Sequence, residues 1–183
     1  MIWSIELPHL PLIIQLLMAV LVLTAAIYDF ITRRIPNWLT ASGVLVGLGF
    51  NLLLYGAMGL RSAGLGLAIA FGVYFVFYLL RAMGAGDVKL MAALGALVGP
   101  AYWFSLFVLS SLLGAVFALI LLLSKGQLRK TLWNVGYVIS ELIRFRAPYL
   151  AKPDLDVNSK SAITLPHGVT IACGALLSVL LSR

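Results

Sequence analysis

The sequence is poor in charge and in the residues that build most catalytic and metal sites. Only 10% of its 183 residues are charged, six residues are acidic, and there are two histidines and one cysteine. One cysteine excludes an intrachain disulfide and a paired-cysteine metal site. Cys173 lies in an apolar run and is predicted to be a small buried hydrophobe. No P-loop, G-x-G-x-x-G, G-x-S-x-G or H-E-x-x-H pattern occurs, so the usual nucleotide-binding, serine hydrolase and zinc protease signatures are missing.

Apolar residues make up most of the chain. They account for 62% of the chain, and the mean hydropathy is +1.07. A water-soluble domain cannot bury that much apolar surface, so the surrounding solvent is predicted to be lipid. The net charge of +7 then indicates contact with anionic lipid headgroups and not with nucleic acid. The N-terminal residues lack the basic region of a cleaved signal peptide, so we expect the first apolar segment to be retained.

Six apolar segments are long enough, or nearly so, to cross a bilayer. The uninterrupted run 90–123 would form a helix about 50 Å long, against a hydrocarbon core of about 30 Å. The Gly99-Pro100 pair is the natural place to divide it. The sequence therefore predicts an all-α membrane protein, a single polytopic domain over 1–183, with six spans at about 10–30, 38–57, 62–80, 87–98, 101–123 and 162–181.

The positive charges give an independent test of this topology. With six spans and both termini outside, only Arg61 and Arg183 of the 13 basic residues lie on the outer side. Such an excess of inner charge is typical of cytoplasmic loops, whereas merging the fourth and fifth spans would weaken it. We therefore predict a multi-pass protein of the inner membrane. The basic residues placed inside are Arg33, Arg34, Arg81, Lys89, Lys125, Arg129, Lys130, Arg144, Arg146, Lys152 and Lys160.

The cytoplasmic loop 124–161 is the only long polar region. Apolar residues recur there at steps of three or four, with charged residues largely between them, which predicts an amphipathic helix. That helix either lies on the inner membrane surface or packs on the protein's own spans. Its apolar positions are Leu128, Leu132, Val135, Ile139, Leu142 and Phe145.

Two aspartates are placed at the same depth by this topology. Asp29 lies near the inner end of the first span, and Asp87 lies at the inner start of the fourth. Carboxylates are costly inside a membrane and usually face a protein interior or a wet cavity, so the pair suggests a shared site. The alternative is a structural role, in which Asp29 pairs with Arg33, and Asp87 pairs with Lys89 or caps its helix.

A shared site would have the chemistry of an aspartic protease. Two close carboxylates in a low dielectric do not both ionise easily, so one retains a proton while the other can deprotonate water. The helix dipoles predict Asp87 as the carboxylate, because it lies at a helix N-terminus, and Asp29 as the acid, because it lies near a C-terminus. Gly84 and Gly86 leave space beside Asp87 for a substrate backbone or a partner helix.

The two aspartate segments resemble the signatures of a known family. "YDFITRRIPN", which contains Asp29, and "GAGDVKLMAALG", which contains Asp87, are similar to the motifs of type IV prepilin peptidases, membrane aspartic proteases of the GxGD class. "LPHGV" resembles the Pro-Xaa-Gly-Pro motif of the family's last helix, with Val169 in place of the final proline. The resemblance extends over the whole six-span layout.

The resemblance implies an endopeptidase that removes the basic leader from prepilins or pseudopilins at the cytoplasmic membrane face. Asp29 and Asp87 would be its catalytic pair, and neither a cofactor nor a metal is expected. Because the chain begins directly at the first span, it is similar to the short forms of tight-adherence (Flp) pilus systems or to archaeal preflagellin peptidases, and N-methylation is not expected. Residues expected to contact the substrate or shape the loop are Gly84, Gly86, Lys89, Arg33, Arg34, Pro166, His167 and Gly168.

Other interpretations of the residues remain open. Membrane aspartates also relay protons or cations, so a small coupled transporter is the main alternative, although carrier sites tend to lie at the membrane midplane. A non-catalytic scaffold in a secretion assembly is a third, and it predicts that Asp29→Asn and Asp87→Asn are harmless. His167 lies at the predicted depth of both aspartates, where it either lines the site or is a structural group of the interface.

Overall fold

The computed structural model describes residues 10–81, 83–143 and 167–181, and within these ranges it contains helices and no strand. The prediction of an all-α protein is confirmed for this part of the chain. One helix overlaps the first predicted span, another covers the described part of the last (162–166 lies outside the described residues), and two long helices overlap the other four. The helices are α1 (Leu12–Thr32), α2 (Asn37–Leu79), α3 (Ala85–Ser124), α4 (Leu128–Ile143) and α5 (His167–Leu181).

Both long helices are broken by one glycine. Gly56 in α2 has φ 62° and ψ −148°, and Gly99 in α3 has φ 74° and ψ 174°, a backbone region that favours glycine. Beyond the first break, Gly59 lies directly against the backbone carbonyl of Asn51, so the two halves of α2 fold back on each other. The predicted break at Gly99-Pro100 is confirmed. The predicted link at 58–61 is wrong, because the chain turns at Gly56 and is helical through those four residues.

Three of the described helices, α1, α2 and α3, are long and apolar enough to cross a membrane. Their outward faces carry large apolar side chains, among them Leu45, Leu53 and Phe30, which are 72%, 80% and 71% exposed. Side chains of this kind are stable against lipid hydrocarbon and not against water. The protein is therefore a membrane protein.

The first half of α3 lies at the centre of the described helices. Leu90, Met91 and Leu94 on this segment are completely buried. The second half of α2 packs against it through backbone contact at Gly66 and Gly95, where a Cβ on either residue would overlap the other's carbonyl group. Small residues allow this close approach, as is common between membrane helices. Asp87, on the first turn of α3, is thereby held in the protein interior.

The last two helices only partly match their predictions. The amphipathic α4 forms where it was predicted, with Leu132 and Trp133 62% and 79% exposed, and predicted position Phe145 lies outside the described residues. Cys173 on α5 is half-buried and not buried as predicted, because α5 packs against α1 and α3 on only part of its surface. The choice between a membrane-surface and a packed α4 stays a prediction.

We expect Asn51→Ala to destabilise the protein by about 1 kcal/mol. The buried Asn51 side chain donates from Nδ2 to the carbonyl oxygens of Gly47 (2.9 Å), Leu97 (2.9 Å) and Ala96 (3.2 Å), and so joins α2 to α3 beside the Gly99 break. Thermal unfolding in detergent micelles measures the effect. Asn134→Ala is the matched control, because Asn134 lies on α4 and not between α2 and α3, and equal melting temperatures for both variants would contradict the prediction.

Candidate functional site

Asp29 and Asp87 line one cavity of about 520 Å³. Its walls come from the end of α1, the link between α1 and α2, and the start of α3. Each aspartate is only 8% exposed, and the two carboxylates are close enough to interact electrostatically. The structure thus brings together the two acids that the topology placed at one depth. The other lining residues are Arg33, Arg34, Ile35, Pro36, Asn37, Gly84, Ala85, Gly86 and Lys89.

Asp87 is positioned by the N-terminus of α3. The helix begins at Ala85 after its N-cap Gly84, so Asp87 lies on the first turn, and the backbone amide of Gly84 faces its carboxylate. An acidic side chain here is favoured by the helix dipole and reaches amide groups without helical partners. The buried carboxylate therefore has a polar environment although the helix that carries it is almost wholly apolar.

Asp29 is positioned by two helices. It lies on the last turn of α1, and its Oδ2 accepts a hydrogen bond of 2.8 Å from the backbone N–H of Gly168 on the first turn of α5. This N–H has no partner within its own helix, so Asp29 caps α5. The prediction that Asp29 is the acid and Asp87 the carboxylate took account only of the position of Asp29 near the C-terminus of α1. With α5 present, both aspartates lie at helix N-termini, and the electrostatic difference between them is smaller than the sequence indicated.

Three glycines at the site have different surroundings. A Cβ on Gly168 would lie 2.9 Å from the Cβ of Asp29 and 3.0 Å from its Oδ2. A Cβ on Gly86 would lie 3.2 Å from the Cβ of Ile35, whereas one on Gly84 would lie at an ordinary 3.6 Å from Asp87 Oδ2. Gly84 is therefore beside Asp87 as predicted, whereas Gly86 allows the α1–α2 link to approach α3.

The basic residues surround the cavity mouth. Arg33 ends α1 in a left-handed conformation (φ 54°), and its backbone N–H donates to the Asp29 carbonyl at 3.0 Å. Lys89 Nζ donates to Asn37 Oδ1 at 2.8 Å, and Arg34 is exposed. Sequence reasoning did not single out Asn37, although it belongs to the "RRIPN" segment that carried the resemblance.

A second cavity of about 310 Å³ has two lining residues within electrostatic reach of the aspartates. Its lining includes His167, Tyr74, Ser110 and Thr170. His167 is within electrostatic reach of Asp29, and Tyr74 of Asp87. Tyr74 was missed because an aromatic residue in an apolar run gives no sequence signal. Pro166, predicted to shape the site, lies outside the described residues.

No metal-ligand cluster occurs in the described ranges. Across residues 10–81, 83–143 and 167–181, no three histidine, cysteine, aspartate or glutamate side chains are grouped to hold a metal ion. The arrangement has instead the parts of an acid–base pair: two buried carboxylates, backbone amides facing each of them, and an open cavity that water can enter.

Residues 16–119 match the family model described as the type IV leader peptidase family. The matched region includes both aspartates and every described residue that lines their cavity. It does not include α5, which supplies the amide bound to Asp29.

Curated relatives agree with the match to the type IV leader peptidase family. The chain is 33% identical over 119 residues to a Neisseria gonorrhoeae protein, 39% over 101 to one from Klebsiella pneumoniae and 31% over 123 to one from Escherichia coli (strain K12). These alignments cover 61%, 50% and 63% of the chain, and each relative is named prepilin leader peptidase/N-methyltransferase. The aligned part spans 41%, 43% and 53% of the relatives' own lengths. No solved structure matches the chain.

Proposed function

The chain belongs to the type IV leader peptidase family, and from that premise we propose that it is an aspartic endopeptidase that removes the basic leader of type IV prepilins or pseudopilins. The observation that carries the proposal is the single cavity lined by Asp29 and Asp87, because peptide hydrolysis needs an acid–base pair with access to water. The family match favours this function over the transporter alternative. Of the two activities in the relatives' name, only the peptidase is proposed for this chain.

The proposed reaction uses both carboxyl groups in turn. One aspartate, as the carboxylate, takes a proton from a water molecule whose oxygen attacks the scissile carbonyl carbon, while the other, protonated, donates to the carbonyl oxygen. In the tetrahedral intermediate the C–N bond then breaks, the proton taken from water passes to the leaving nitrogen, and a hydroxyl of the intermediate returns its proton to the aspartate that acted as the acid. The backbone amides of Gly84 and Gly168 would keep the two side chains in place throughout.

We further propose a six-span topology with both termini outside. α1, the two halves of α2, the two halves of α3, and α5 would each cross the inner membrane. This topology puts the aspartate cavity at the cytoplasmic face, where the scissile bond of a prepilin lies next to its membrane segment. Arg33, Arg34 and Lys89 around the cavity agree with the positive charge typical of that face, and they would also attract an acidic residue of the substrate.

A cleavage assay tests the function. The chain is co-expressed with tagged candidate prepilins, and leader removal is followed by gel shift and by mass spectrometry of the new N-terminus. We expect cleavage by the wild type and none without the enzyme. Intact substrates throughout the prepilin panel, together with ion flux in proteoliposomes of the purified protein, would overturn the proposal in favour of transport.

We expect the two glycines of the G-A-G-D segment to respond differently to alanine. Gly86→Ala should lower the cleavage rate about tenfold, because its Cβ presses on Ile35 and moves the α1–α2 link that carries part of the cavity. Gly84→Ala should have a small effect, because its Cβ has ordinary contact distance and its φ is −78°. Steady-state kinetics of the two variants provide the comparison, and a larger defect at Gly84 would contradict it.

A further inference from the structure

A groove on the outside of the protein adjoins the aspartate cavity. This α2–α3 groove has a volume of about 450 Å³, and apart from Thr40 and the two polar residues at one end its lining is apolar: Ala41, Val44, Leu67, Phe71 and Ala92. At one end it is lined by Asn37 and Lys89, which also line the cavity that holds the two carboxylates. The groove and the cavity therefore adjoin at this pair of residues.

We propose that the α2–α3 groove receives the apolar segment of the substrate that follows the scissile bond. The inference rests on the proposed function. A prepilin cut at the edge of its membrane segment must pass from lipid into the cavity, and the groove provides an apolar path that ends there. The second cavity, next to His167, is a poorer entrance, because in the described part of the chain it shares no lining residue with the aspartate cavity.

The chemical character of the surface changes at the Lys89–Asn37 hydrogen bond. On one side of it the groove is apolar, and on the other the cavity holds two carboxylates and exposed arginines. A substrate with a charged leader and an apolar segment changes character in the same way. Matching the two boundaries would place the substrate's polar–apolar junction beside Lys89, two residues after Asp87 on the same helix. The groove would thus determine which peptide bond reaches the carboxylates.

Site-specific crosslinking tests the location. The chain has one cysteine, so Cys173→Ala gives a cysteine-free background, and Asp87→Asn is added to hold the substrate uncleaved. Ala41→Cys and Leu67→Cys place a thiol in the groove, whereas Leu45→Cys is a control on α2 that is 72% exposed outside it. The probe is a prepilin with one cysteine in the first two turns of its apolar segment, in liposomes with a mild oxidant. We expect disulfides at Ala41→Cys and Leu67→Cys and none above background at Leu45→Cys.

Kinetics of cleavage provide a second measurement that does not need trapping. Ala41→Trp fills the groove and should raise KM about tenfold with kcat little changed, since it removes substrate binding and leaves the carboxylates untouched. Leu45→Trp adds a tryptophan outside the groove and should match the wild type.

The outcomes separate this inference from the function it rests on. No cleavage of any prepilin by the wild type would overturn the proposed function itself. Cleavage by the wild type, with an unchanged KM for Ala41→Trp and no crosslink at either groove position, would overturn the inference alone and identify the groove as a lipid-filled surface. Crosslinks in the groove together with the raised KM would support it.

Discussion

Asp29→Asn and Asp87→Asn are each expected to lower the rate of leader cleavage by about 10²–10⁴-fold, the usual contribution of a positioned acid or base. Asparagine has nearly the size of aspartate but cannot exchange a proton with water or with the leaving nitrogen. At position 29 it also retains an oxygen that can accept the Gly168 N–H, so α5 should stay in place. Cleavage kinetics with purified variants in liposomes measure the loss.

The double variant makes this prediction sharper. Because the two carboxylates act as one unit, removing both should cost little more than removing the worse single one. Glu141→Gln is the control: Glu141 is also only 8% exposed, but it lies on α4 and does not line the aspartate cavity. Full activity in either single aspartate variant, with a wild-type melting temperature, would remove that residue from the chemistry.

Gly168→Ala is expected to lower kcat by about 10²-fold, as misplacement of a catalytic group by about 1 Å can do. The new Cβ would lie 2.9 Å from the Cβ of Asp29, so either the aspartate or the start of α5 must move. The hydrogen bond between the Gly168 amide and Asp29 would be lost or lengthened. KM should change little, because Gly168 does not line the α2–α3 groove.

A second glycine that faces α5 controls for a general effect on helix packing. A Cβ on Gly114 would meet Thr170 Oγ1 at 3.8 Å, which is ordinary contact, so Gly114→Ala should leave kcat and the melting temperature unchanged. If Gly168→Ala instead retains wild-type kcat, Asp29 does not depend on the position of α5.

The sequence was most informative where the length of the apolar segments and the distribution of positive charge supported the same topology. Two aspartates within an otherwise apolar chain, placed by span length and positive charge, lie in one cavity of the structure. The Gly99-Pro100 break was predictable because proline removes a helical hydrogen bond and glycine tolerates positive φ. The helix after Gln127 was predictable from its spacing of apolar residues.

The sequence alone did not predict contacts between segments that are far apart in the chain. The bond from Gly168 to Asp29 joins residues 139 positions apart, and the bond from Lys89 to Asn37 joins residues 52 positions apart. Neither follows from local pattern, because each depends on how whole helices pack. Gly56 was missed for a related reason: one glycine among several gives no local sign that it alone adopts positive φ.

The two carboxylates belong to different parts of the helix assembly. Asp87 is on α3, which packs closely with α2, whereas Asp29 is on α1, which packs mainly on α5. These two pairs meet where α5 crosses α3, at the direct contact of Gly174 with Ser110. Because the α5 amide of Gly168 binds Asp29, the spacing of the two acids depends on how α5 packs against α3 as well as on the residues that line the cavity.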